Sequence, residues 1–422
     1  MHDPRILLDP ATDAVRKLSR RGFALDVASL ETLLSGRNSA IQRGDEARAE
    51  SKRLATSVKG ASPDERPALV ERARELKGVV AAADEEHKAL EEQLQELLLG
   101  IPNLPSDELP DGASDADAEL VRSWGVVPEF GFAPLDHVDI GEKLGIIDLQ
   151  RATKLSGPRF AVLRGRGAKL ERALARYFLD VAEQHGYTEF SVPTLVNRAA
   201  VTGTGQLPKF EQDLFKTGVD ARELYLIPTA EVPLTNLHAK ETLNTEDLPL
   251  AYTAHTQCYR SEAGSYGRDT RGLVRVHEFS KVELVRIVEP ERSREELELL
   301  LTHAEAVLQG LGLAYRVVKL AAGDIGFSSE FTYDIEVWLP GQQAFREIAS
   351  ASDFGTFQAR RASIRTKSKD GRRGFAATLN SSGLPIGRTL VAVLEQGQQS
   401  DGSVKMPEAL VPYTGFAEIN RE

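Results

Sequence analysis

The sequence predicts an α+β fold in which a mainly antiparallel sheet domain follows two long helices packed as an antiparallel coiled coil. The composition changes near residue 101, where a stretch rich in Ala, Glu and Leu with almost no aromatic residues gives way to short β-rich runs. The first stretch repeats apolar residues every seven positions, which is typical of a coiled coil. In the second stretch, strand patterns outnumber the helices available to connect parallel strands.

The two N-terminal helices are predicted from their apolar stripes. A heptad runs through residues 69–97, and a weaker stripe covers residues 30–58. The heptad core positions are Leu69, Ala73, Leu76, Val80, Ala83, His87, Leu90, Leu94 and Leu97. Ser62 as N-cap and Pro63 at the first helical position predict the start of the second helix. At 1.5 Å per residue, the pair forms a hairpin about 50 Å long over residues 27–99.

Charge distinguishes the two helices of this hairpin. Residues 27–60 contain six basic and four acidic side chains, whereas residues 61–99 contain five basic and ten acidic ones. Only the first helix therefore offers phosphate groups a favourable face. The pattern alone fits an exposed arm, a pair of helices folded onto the body, or a dimerisation coil.

Composition excludes several classes of protein. Of the 422 residues 41% are hydrophobic, the net charge is −11, and no apolar run approaches the roughly 18 residues that a membrane helix needs. The N-terminal residues lack the basic and apolar regions of a secretory signal. The single cysteine, Cys258, excludes a disulfide within the chain and a cysteine-cluster zinc site. We therefore expect a protein of the reducing cytoplasm that does not enter a membrane.

The C-terminal part is predicted to begin after an acidic, proline-rich linker, with the domain boundary between residues 113 and 114. Strands are predicted at residues 162–164, 190–192, 224–227, 282–288 and 332–338, and helices at residues 169–185 and 291–311. Neither a dinucleotide-binding glycine motif nor a P-loop follows any of these strands.

The densest chemical signal lies in residues 258–279, a predicted strand, glycine-rich loop and strand. It contains four arginines within sixteen residues: Arg260, Arg268, Arg271 and Arg275. Arginine forks match phosphate oxygens and stay charged. Phe279, Lys281 and Glu283 share a face of the second strand, and an aromatic ring beside arginines suits a purine. The alternative is an exposed hairpin with surface ion pairs.

Three weaker motifs carry polar groups at the ends of predicted strands. Glu347 and Ser350 offer oxygen ligands to magnesium, although the motif taken alone favours a capped turn. Thr229 and Glu231 offer a hydroxyl and a carboxylate to a small amino group, or cap a helix. In residues 379–395 a strand leads through a Gly/Pro turn into an apolar helix. Arg388 in its first turn does not favour the helix dipole, which indicates that it faces a ligand.

These motifs resemble the three signature motifs of class II aminoacyl-tRNA synthetases, and essentially the whole chain resembles the bacterial-type seryl-tRNA synthetases. Residues 186–193 are similar to the first motif, residues 260–283 to the second and residues 383–395 to the third. The Arg-Ser-Glu-Ala-Gly-Ser-x-Gly-Arg-Asp-x-Arg-Gly run that begins at Arg260 resembles the seryl family in particular, as does Phe-Gln-Ala-Arg-Arg at residues 357–361.

The resemblance implies a serine–tRNA ligase. Such an enzyme forms seryl-adenylate from L-serine and ATP, releases pyrophosphate, and transfers serine to tRNA(Ser), with tRNA(Sec) as a further acceptor. Residues 1–113 would bind tRNA through an arm at residues 27–99, and residues 114–422 would form a class II catalytic domain. The family also implies a homodimer.

The resemblance further implies roles for individual residues. Arg260 would hold the α-phosphate of ATP, Glu262 would help to fix the nucleotide, and Arg388, with Arg271, would hold the γ-phosphate; Arg260, Glu262 and Arg388 would be the catalytic residues. The implied ATP-binding residues are Arg260, Ser261, Glu262, Arg271, Val276, Phe279 (stacked on adenine), Glu347, Ile348, Ala349, Ser350 and Arg388. The implied serine-binding residues are Thr229, Ala230, Glu231, Glu283 and Ser382. Glu347 and Ser350 would bind Mg²⁺.

Two other functions are alternatives to a serine–tRNA ligase. An enzyme that loads serine onto a carrier protein would lack the arm, and residues 27–99 argue against it. A non-catalytic paralogue would not be expected to keep Arg260, Glu283, Glu347 and Arg388. Four positions depart from the usual family pattern, and they predict altered packing behind the site and an added charge: Ala349, Ala351, Asp353 and Ser381.

Overall fold

A computed structural model describes residues 1–263 and 271–421, which form two compact units. The first unit comprises Met1–Ser19 and Phe23–Pro102, and the second comprises Arg20–Gly22 and the chain from Asn103 onward. The helices of the first unit are α1 (Pro4–Leu8), α2 (Ala14–Ser19), α3 (Val27–Gly60) and α4 (Arg66–Gly100). The predicted domain boundary at residues 113/114 stays a prediction.

The coiled-coil prediction is confirmed by α3 and α4. Every predicted heptad position of α4 is buried or half-buried, His87 included. The buried heptad stripe holds the antiparallel pair together, and partly exposed ion pairs also connect the helices, namely Arg37–Glu91, Arg43–Glu86, Arg48–Asp84 and Arg72–Glu50. These pairs occupy several basic side chains of α3, while Lys52, Arg53 and Lys59 are exposed.

The predicted start of α4 is wrong by three residues. Residues 63–65 remain in the turn, and α4 begins at Arg66. The Ser62 hydroxyl and backbone N–H both donate to the Glu65 carboxylate, at 2.8 and 3.0 Å. Because its hydroxyl is engaged as a donor to this carboxylate, Ser62 does not cap the helix as predicted.

The second unit holds the remaining helices and all the strands of the described residues. Its helices are α5 (His137–Lys143), α6 (Leu149–Ser156), α7 (Arg166–Gln184), α8 (Arg198–Gly203), α9 (Glu231–Asn236), α10 (Ser293–Gly310), α11 (Phe357–Ala362), α12 (Ile386–Gly397) and α13 (Val411–Thr414). Its strands are β1 (Glu119–Trp124), β2 (Ile147–Asp148), β3 (Val162–Leu163), β4 (Thr188–Glu189), β5 (Leu195–Asn197), β6 (Lys216–Val219), β7 (Arg222–Leu226), β8 (Thr242–Asn244), β9 (Leu250–Tyr259), β10 (Glu278–Val288), β11 (Tyr315–Lys319), β12 (Phe331–Leu339), β13 (Ala344–Asp353), β14 (Arg365–Lys367), β15 (Arg373–Phe375), β16 (Ala377–Pro385), β17 (Val404–Lys405) and β18 (Glu418–Ile419).

An eight-stranded sheet organises this unit, in the order β1-β11-β12-β13-β16-β10-β9-β4. Every neighbouring pair is antiparallel except β4 with β9. One face packs with α7, α10 and α12 into the main core, where residues such as Leu284, Ile335 and Ala351 are buried. Alternate residues of β10, β13 and β16 point to the opposite face. The mainly antiparallel α+β prediction is therefore confirmed.

Two local predictions differ from the structure. Residues 190–192 are not a strand: β4 ends at Glu189, and the Phe190 ring packs 4.8 Å from that of Tyr252. The turn predicted before α12 is also not there, because β16 runs to Pro385 and α12 begins at the next residue. In the part of the chain that the structure describes, no helix has the length and apolarity needed to cross a bilayer.

Candidate functional site

A cavity of about 940 Å³ opens on the polar face of the large sheet. Residues from β10, β13, β16, the start of α12 and the loop after β7 line it. The predicted site residues in this lining are Thr229, Glu231, Arg260, Glu262, Val276, Phe279, Glu347, Ile348, Ser350, Ser382 and Arg388. The fold thus brings together most of the residues that the four sequence motifs singled out.

Five predicted residues lie outside this lining. Ala230, Glu283 and Ala349 are buried. The Ser261 hydroxyl donates to the Gln212 carbonyl oxygen at 2.6 Å. Arg271 is more than half exposed and pairs with Asp136 and Asp139, at 2.6 and 2.5 Å. Arg268 belongs to residues 264–270, outside the described residues.

Arg260 and Phe279 form the aromatic end of the cavity. Arg260 follows β9, its Nε donates to the Pro228 carbonyl oxygen at 3.3 Å, and its guanidinium lies 5.1 Å from the centre of the Phe279 ring. Glu262 has a positive φ of 50° and accepts a 2.6 Å hydrogen bond from Arg275. A planar heterocycle at this end would meet an aromatic face beside fixed positive charge.

Arg388 projects from the first turn of α12 into the same cavity. Its guanidinium donates to the carbonyl oxygens of Val274 and Glu347, at 3.2 and 2.9 Å, and lies 3.3 Å from a carboxylate oxygen of Glu347. These contacts hold a cation at the cavity wall, where an anionic ligand can reach it.

Glu347 and Ser350 lie on β13 beside a third oxygen donor, Asp334 on β12. Asp334 is the cross-strand partner of Ser350, and its Oδ1 is buried without a hydrogen-bond partner among the described residues. Burial and, to a smaller extent, the Glu347 carboxylate raise the pKa of Asp334 well above its usual range. An all-oxygen donor set with an orphaned buried carboxylate oxygen fits a hard cation such as Mg²⁺.

Another part of the lining belongs to a network of buried polar groups around Glu231. Its carboxylate accepts hydrogen bonds from Gln358 at 2.6 Å and from Asn380 at 3.0 Å. Burial, with the nearby Glu283 carboxylate, raises the pKa of Glu231 to about 7. Lys281 donates to the Thr229 hydroxyl at 2.8 Å and forms an ion pair with Glu283.

Sequence reasoning missed three members of this network. Lys281 and Asn380 line the cavity, and Gln358 is fully buried behind it. Even spacing was the available signal, because Lys281 lies between Phe279 and Glu283 on one strand face and Asn380 lies two residues before Ser382. Asn380 also donates to Glu283 at 3.0 Å, and so connects the two carboxylates.

The four departures from the family pattern do not line the cavity. Ala349, Ala351 and Ser381 are fully buried on the core side of the sheet. The Asp353 carboxylate accepts a 2.7 Å hydrogen bond from the Gly355 backbone N–H, and burial raises its pKa. The predicted change in packing behind the site therefore falls on the opposite face of β13 and β16.

The lining as a whole suits a reaction driven by placement and charge. Its described residues include no histidine or cysteine, the usual activated bases and nucleophiles. The arginines Arg260 and Arg388 and the Phe279 ring suit a ligand that carries an aromatic base and several phosphates. The buried Glu231 carboxylate suits a small compound with an ammonium group. Such a cavity can hold a carboxylate against a phosphoryl group and stabilise the charge of the transition state.

Comparison with known proteins finds tRNA synthetase domains in both the N-terminal and the C-terminal part of the chain. Residues 1–105 match the profile of the seryl-tRNA synthetase N-terminal domain, and residues 215–397 match that of the class II tRNA synthetase core domain (G, H, P, S and T). The serine–tRNA ligase 2 of Streptomyces avermitilis is 57% identical over 99% of this chain and 98% of its own. The serine–tRNA ligase of Syntrophotalea carbinolica is 50% identical over 99% of both.

Solved structures of seryl-tRNA synthetases are also similar to this chain over its whole length. The crystal structure of seryl-tRNA synthetase from Pyrococcus horikoshii complexed with ATP superposes with a TM-score of 0.93, at 33% identity over 100% of both chains. The cytoplasmic serine–tRNA ligase of Naegleria fowleri in complex with AMP gives a TM-score of 0.85 at 27% identity, over 100% of this chain and 96% of its own.

Proposed function

The chain belongs to the seryl-tRNA synthetase family, and from that premise we propose how its cavity joins L-serine to ATP and passes the seryl group to tRNA. The protein is a serine–tRNA ligase with ATP, serine and tRNA as substrates. The single observation that carries the assignment to this cavity is that Arg260, Phe279, Arg388, Glu231 and Ser382 line it together. Serine-dependent ATP–pyrophosphate exchange, followed by charging of tRNA(Ser), tests it.

In the first step a serine carboxylate oxygen attacks the α-phosphorus of ATP, the bond to the β-phosphate oxygen breaks, and pyrophosphate leaves. Arg260 neutralises charge at the α-phosphate, Phe279 stacks on adenine, and Arg388 holds the γ-phosphate. In the second step a hydroxyl of the tRNA acceptor end attacks the seryl carbonyl carbon and AMP leaves. Neither step needs a protein nucleophile, since placement and charge stabilisation supply the rate.

Mg²⁺ would be held by Glu347 and Ser350, with Asp334 next to them. No group of three histidine, cysteine, aspartate or glutamate side chains within residues 1–263 and 271–421 is arranged to hold a metal alone. Mg²⁺ is commonly bound by one or two carboxylates together with substrate phosphates. When bound, the ion would neutralise charge on the phosphates of ATP. The three residues would orient it, and Arg388 beside Glu347 supports the same phosphates.

We assign recognition of the serine hydroxyl to Ser382, and expect Ser382→Ala to lower serine activation about ten- to a hundredfold. Removing one hydrogen bond inside a closed pocket leaves a partner unsatisfied, at about 1–3 kcal/mol. The loss should appear in the KM for serine and not in that for ATP, and discrimination against alanine should fall. Pyrophosphate exchange titrated separately with serine and alanine measures both. An equal loss with both amino acids would show that Ser382 only shapes the site.

Glu231 is assigned to the serine ammonium group, which makes serine affinity pH-dependent. The carboxyl is uncharged below its pKa of about 7, so its attraction for the ammonium group is lost as the pH falls through that value. The KM for serine should therefore fall by up to about tenfold per unit as the pH rises from 5.5 to 7, then level off. Glu231→Gln should flatten this profile, whereas Ser382→Ala, the matched control, should keep its shape. A flat wild-type profile would contradict the assignment.

The remaining assignments concern partners and location. The α3–α4 hairpin is assigned to tRNA(Ser), with tRNA(Sec) as a further candidate, because α3 presents Lys52, Arg53 and Lys59 to solvent. A homodimer is proposed through residues 186–193, where the exposed strand β4 ends the large sheet. We place the enzyme in the cytoplasm, which agrees with a chain whose single cysteine, Cys258, is buried.

A further inference from the structure

One wall of the cavity is an irregular loop, residues 325–329, whose Gly326, Phe327, Ser328 and Ser329 line the cavity. The loop belongs to no helix or strand, so regular secondary structure does not satisfy its carbonyl groups. One turn hydrogen bond, from the Ser329 N–H to the Gly326 carbonyl oxygen at 2.9 Å, lies within the loop, and the other hydrogen bonds to its carbonyl groups come from elsewhere in the chain.

Arg21 supplies most of those partners. Its Nη1 donates to the carbonyl oxygens of Phe327 and Ser329, at 3.3 and 3.2 Å, and its Nη2 donates to those of Ile325 and Gly326, both at 2.8 Å. Burial lowers the pKa of this guanidinium to about 10, so it stays charged at neutral pH.

Asn103 completes the set. Its side-chain amide donates to the Ser328 carbonyl oxygen at 3.0 Å, and its backbone N–H donates to that of Phe327 at 2.9 Å. Arg21 also donates to the Asn103 carbonyl oxygen at 2.8 Å. Two side chains, from residues 21 and 103, thus bind all five carbonyl groups of the loop.

The loop leads to the serine end of the cavity through one shared acceptor. The Thr204 carbonyl oxygen accepts from the Ser328 hydroxyl at 3.2 Å and from the Gln358 amide at 3.1 Å. Gln358 in turn donates to Glu231 at 2.6 Å. A shift of the loop would therefore displace Gln358, one of the two amides that orient the Glu231 carboxylate.

We propose that Arg21 and Asn103 are positioning residues for serine binding, acting on Glu231 through loop 325–329, Thr204 and Gln358. The proposal rests on the proposed function, in which Glu231 meets the serine ammonium group. Arg260 and Arg388 donate to the carbonyl oxygens of Pro228 and Val274, which do not belong to loop 325–329. We call Arg21 and Asn103 together the clamp. Serine binding should therefore depend on the clamp more than ATP binding does.

The test compares Arg21→Met with Arg20→Met in ATP–pyrophosphate exchange. Arg20 is a matched control, because its guanidinium donates to the Ser106 and Leu109 carbonyl oxygens and to Asp111, away from the cavity loop. Since small misplacements at a reaction site are costly, we expect Arg21→Met to raise the KM for serine about tenfold, with the KM for ATP changed less than about twofold. Arg20→Met should change neither.

Two further variants separate positioning from general destabilisation. Arg21→Lys keeps the charge but cannot reach four carbonyl groups, and should give an intermediate KM for serine. Asn103→Asp puts a carboxylate against the Ser328 carbonyl and should reproduce the serine-specific rise. Active sites are counted by the burst of adenylate formation, so that misfolded protein does not enter the constants. If Arg21→Met does not fold, Arg21→Lys and Asn103→Asp decide the question.

The outcomes are distinct. An unchanged KM for serine in the folded Arg21 and Asn103 variants, or a parallel rise in the KM for serine and ATP, would overturn the proposal while wild-type exchange upholds the proposed function. A wild-type protein without serine-dependent exchange would instead overturn the proposed function.

Discussion

Shortening the helical hairpin should reduce tRNA(Ser) charging at least about a hundredfold while serine-dependent pyrophosphate exchange stays within about twofold of wild type. Phosphate contacts dominate protein–nucleic acid affinity, so loss of the arm should remove most tRNA binding. The exchange reaction uses only serine and ATP, and its cavity is lined by residues from Thr204 to Arg388. Parallel steady-state measurements of exchange and charging give the result.

The junction can be chosen from the packing of the hairpin. Gly44 on α3 faces Ala83 on α4, since a Cβ added to Gly44 would lie 3.5 Å from that of Ala83. The shortened variant lacks residues 45–82 and joins these two positions by a short glycine–asparagine turn. It keeps residues 27–44 of α3 and 83–100 of α4, and it leaves Arg21 and Asn103 in place. Equal loss of exchange and charging in a folded variant would contradict a separate tRNA-binding role.

A milder variant tests the electrostatic part of the same prediction. Neutralising Lys52, Arg53 and Lys59 together should weaken tRNA binding. It should also make the slope of log affinity against log salt concentration shallower by about two, because each phosphate contact contributes roughly 0.7–0.9 to that slope. Neutralising Arg43, which is already paired with Glu86 across the hairpin, is the control and should change the slope less.

Replacing Arg260 by methionine should lower the kcat/KM of serine activation about a thousandfold. Removing one preorganised charge-stabilising donor from an active site costs about 10²–10³ in rate, and Arg260 also packs over the ring assigned to adenine. Arg260→Lys keeps the charge but loses the planar fork, so it should recover only part of the loss. Pre-steady-state formation of seryl-adenylate measures the step directly.

Arg316→Met is the control for this prediction. Arg316 lies on β11 in a partly exposed ion pair with Glu336, and such pairs contribute little to stability. Its loss should leave exchange unchanged. A near-normal rate of adenylate formation in Arg260→Met would show that Arg260 does not stabilise the transition state.

The sequence predicted the regular parts of the molecule because their signals are periodic. The heptad of α4 and the shared face of Phe279, Lys281 and Glu283 on β10 follow from repeats of 3.5 and 2 residues, and the structure contains both elements. The start of α4 was not predicted correctly, because Ser62 can either donate or accept a hydrogen bond and its choice depends on Glu65. Residues 190–192 have a strand-like composition, but the sheet pairing stops at Glu189.

The site was predicted less completely than the fold. Strand alternation located the face that carries Phe279 and Lys281, and the family resemblance supplied Ser382, but neither reveals which side chains are engaged by other residues. Arg271 lies in a pair of ion contacts with Asp136 and Asp139, about 130 residues earlier in the chain. Arg21 carries no local motif at all, because its five acceptors are backbone carbonyl groups that composition cannot show.

The assignment of Arg20–Gly22 to the second unit changes what counts as a module in this chain. The hairpin is inserted in the chain between Arg21 and Asn103, both of which belong to the second unit. It is therefore not simply an N-terminal domain that precedes the catalytic one. A hybrid enzyme made by exchanging everything before residue 103 would import a foreign residue at position 21 against the native cavity wall. Exchange of residues 23–102 alone would keep the clamp intact. Hybrids between relatives should therefore stay more active when only residues 23–102 are exchanged than when the whole chain before residue 103 is exchanged.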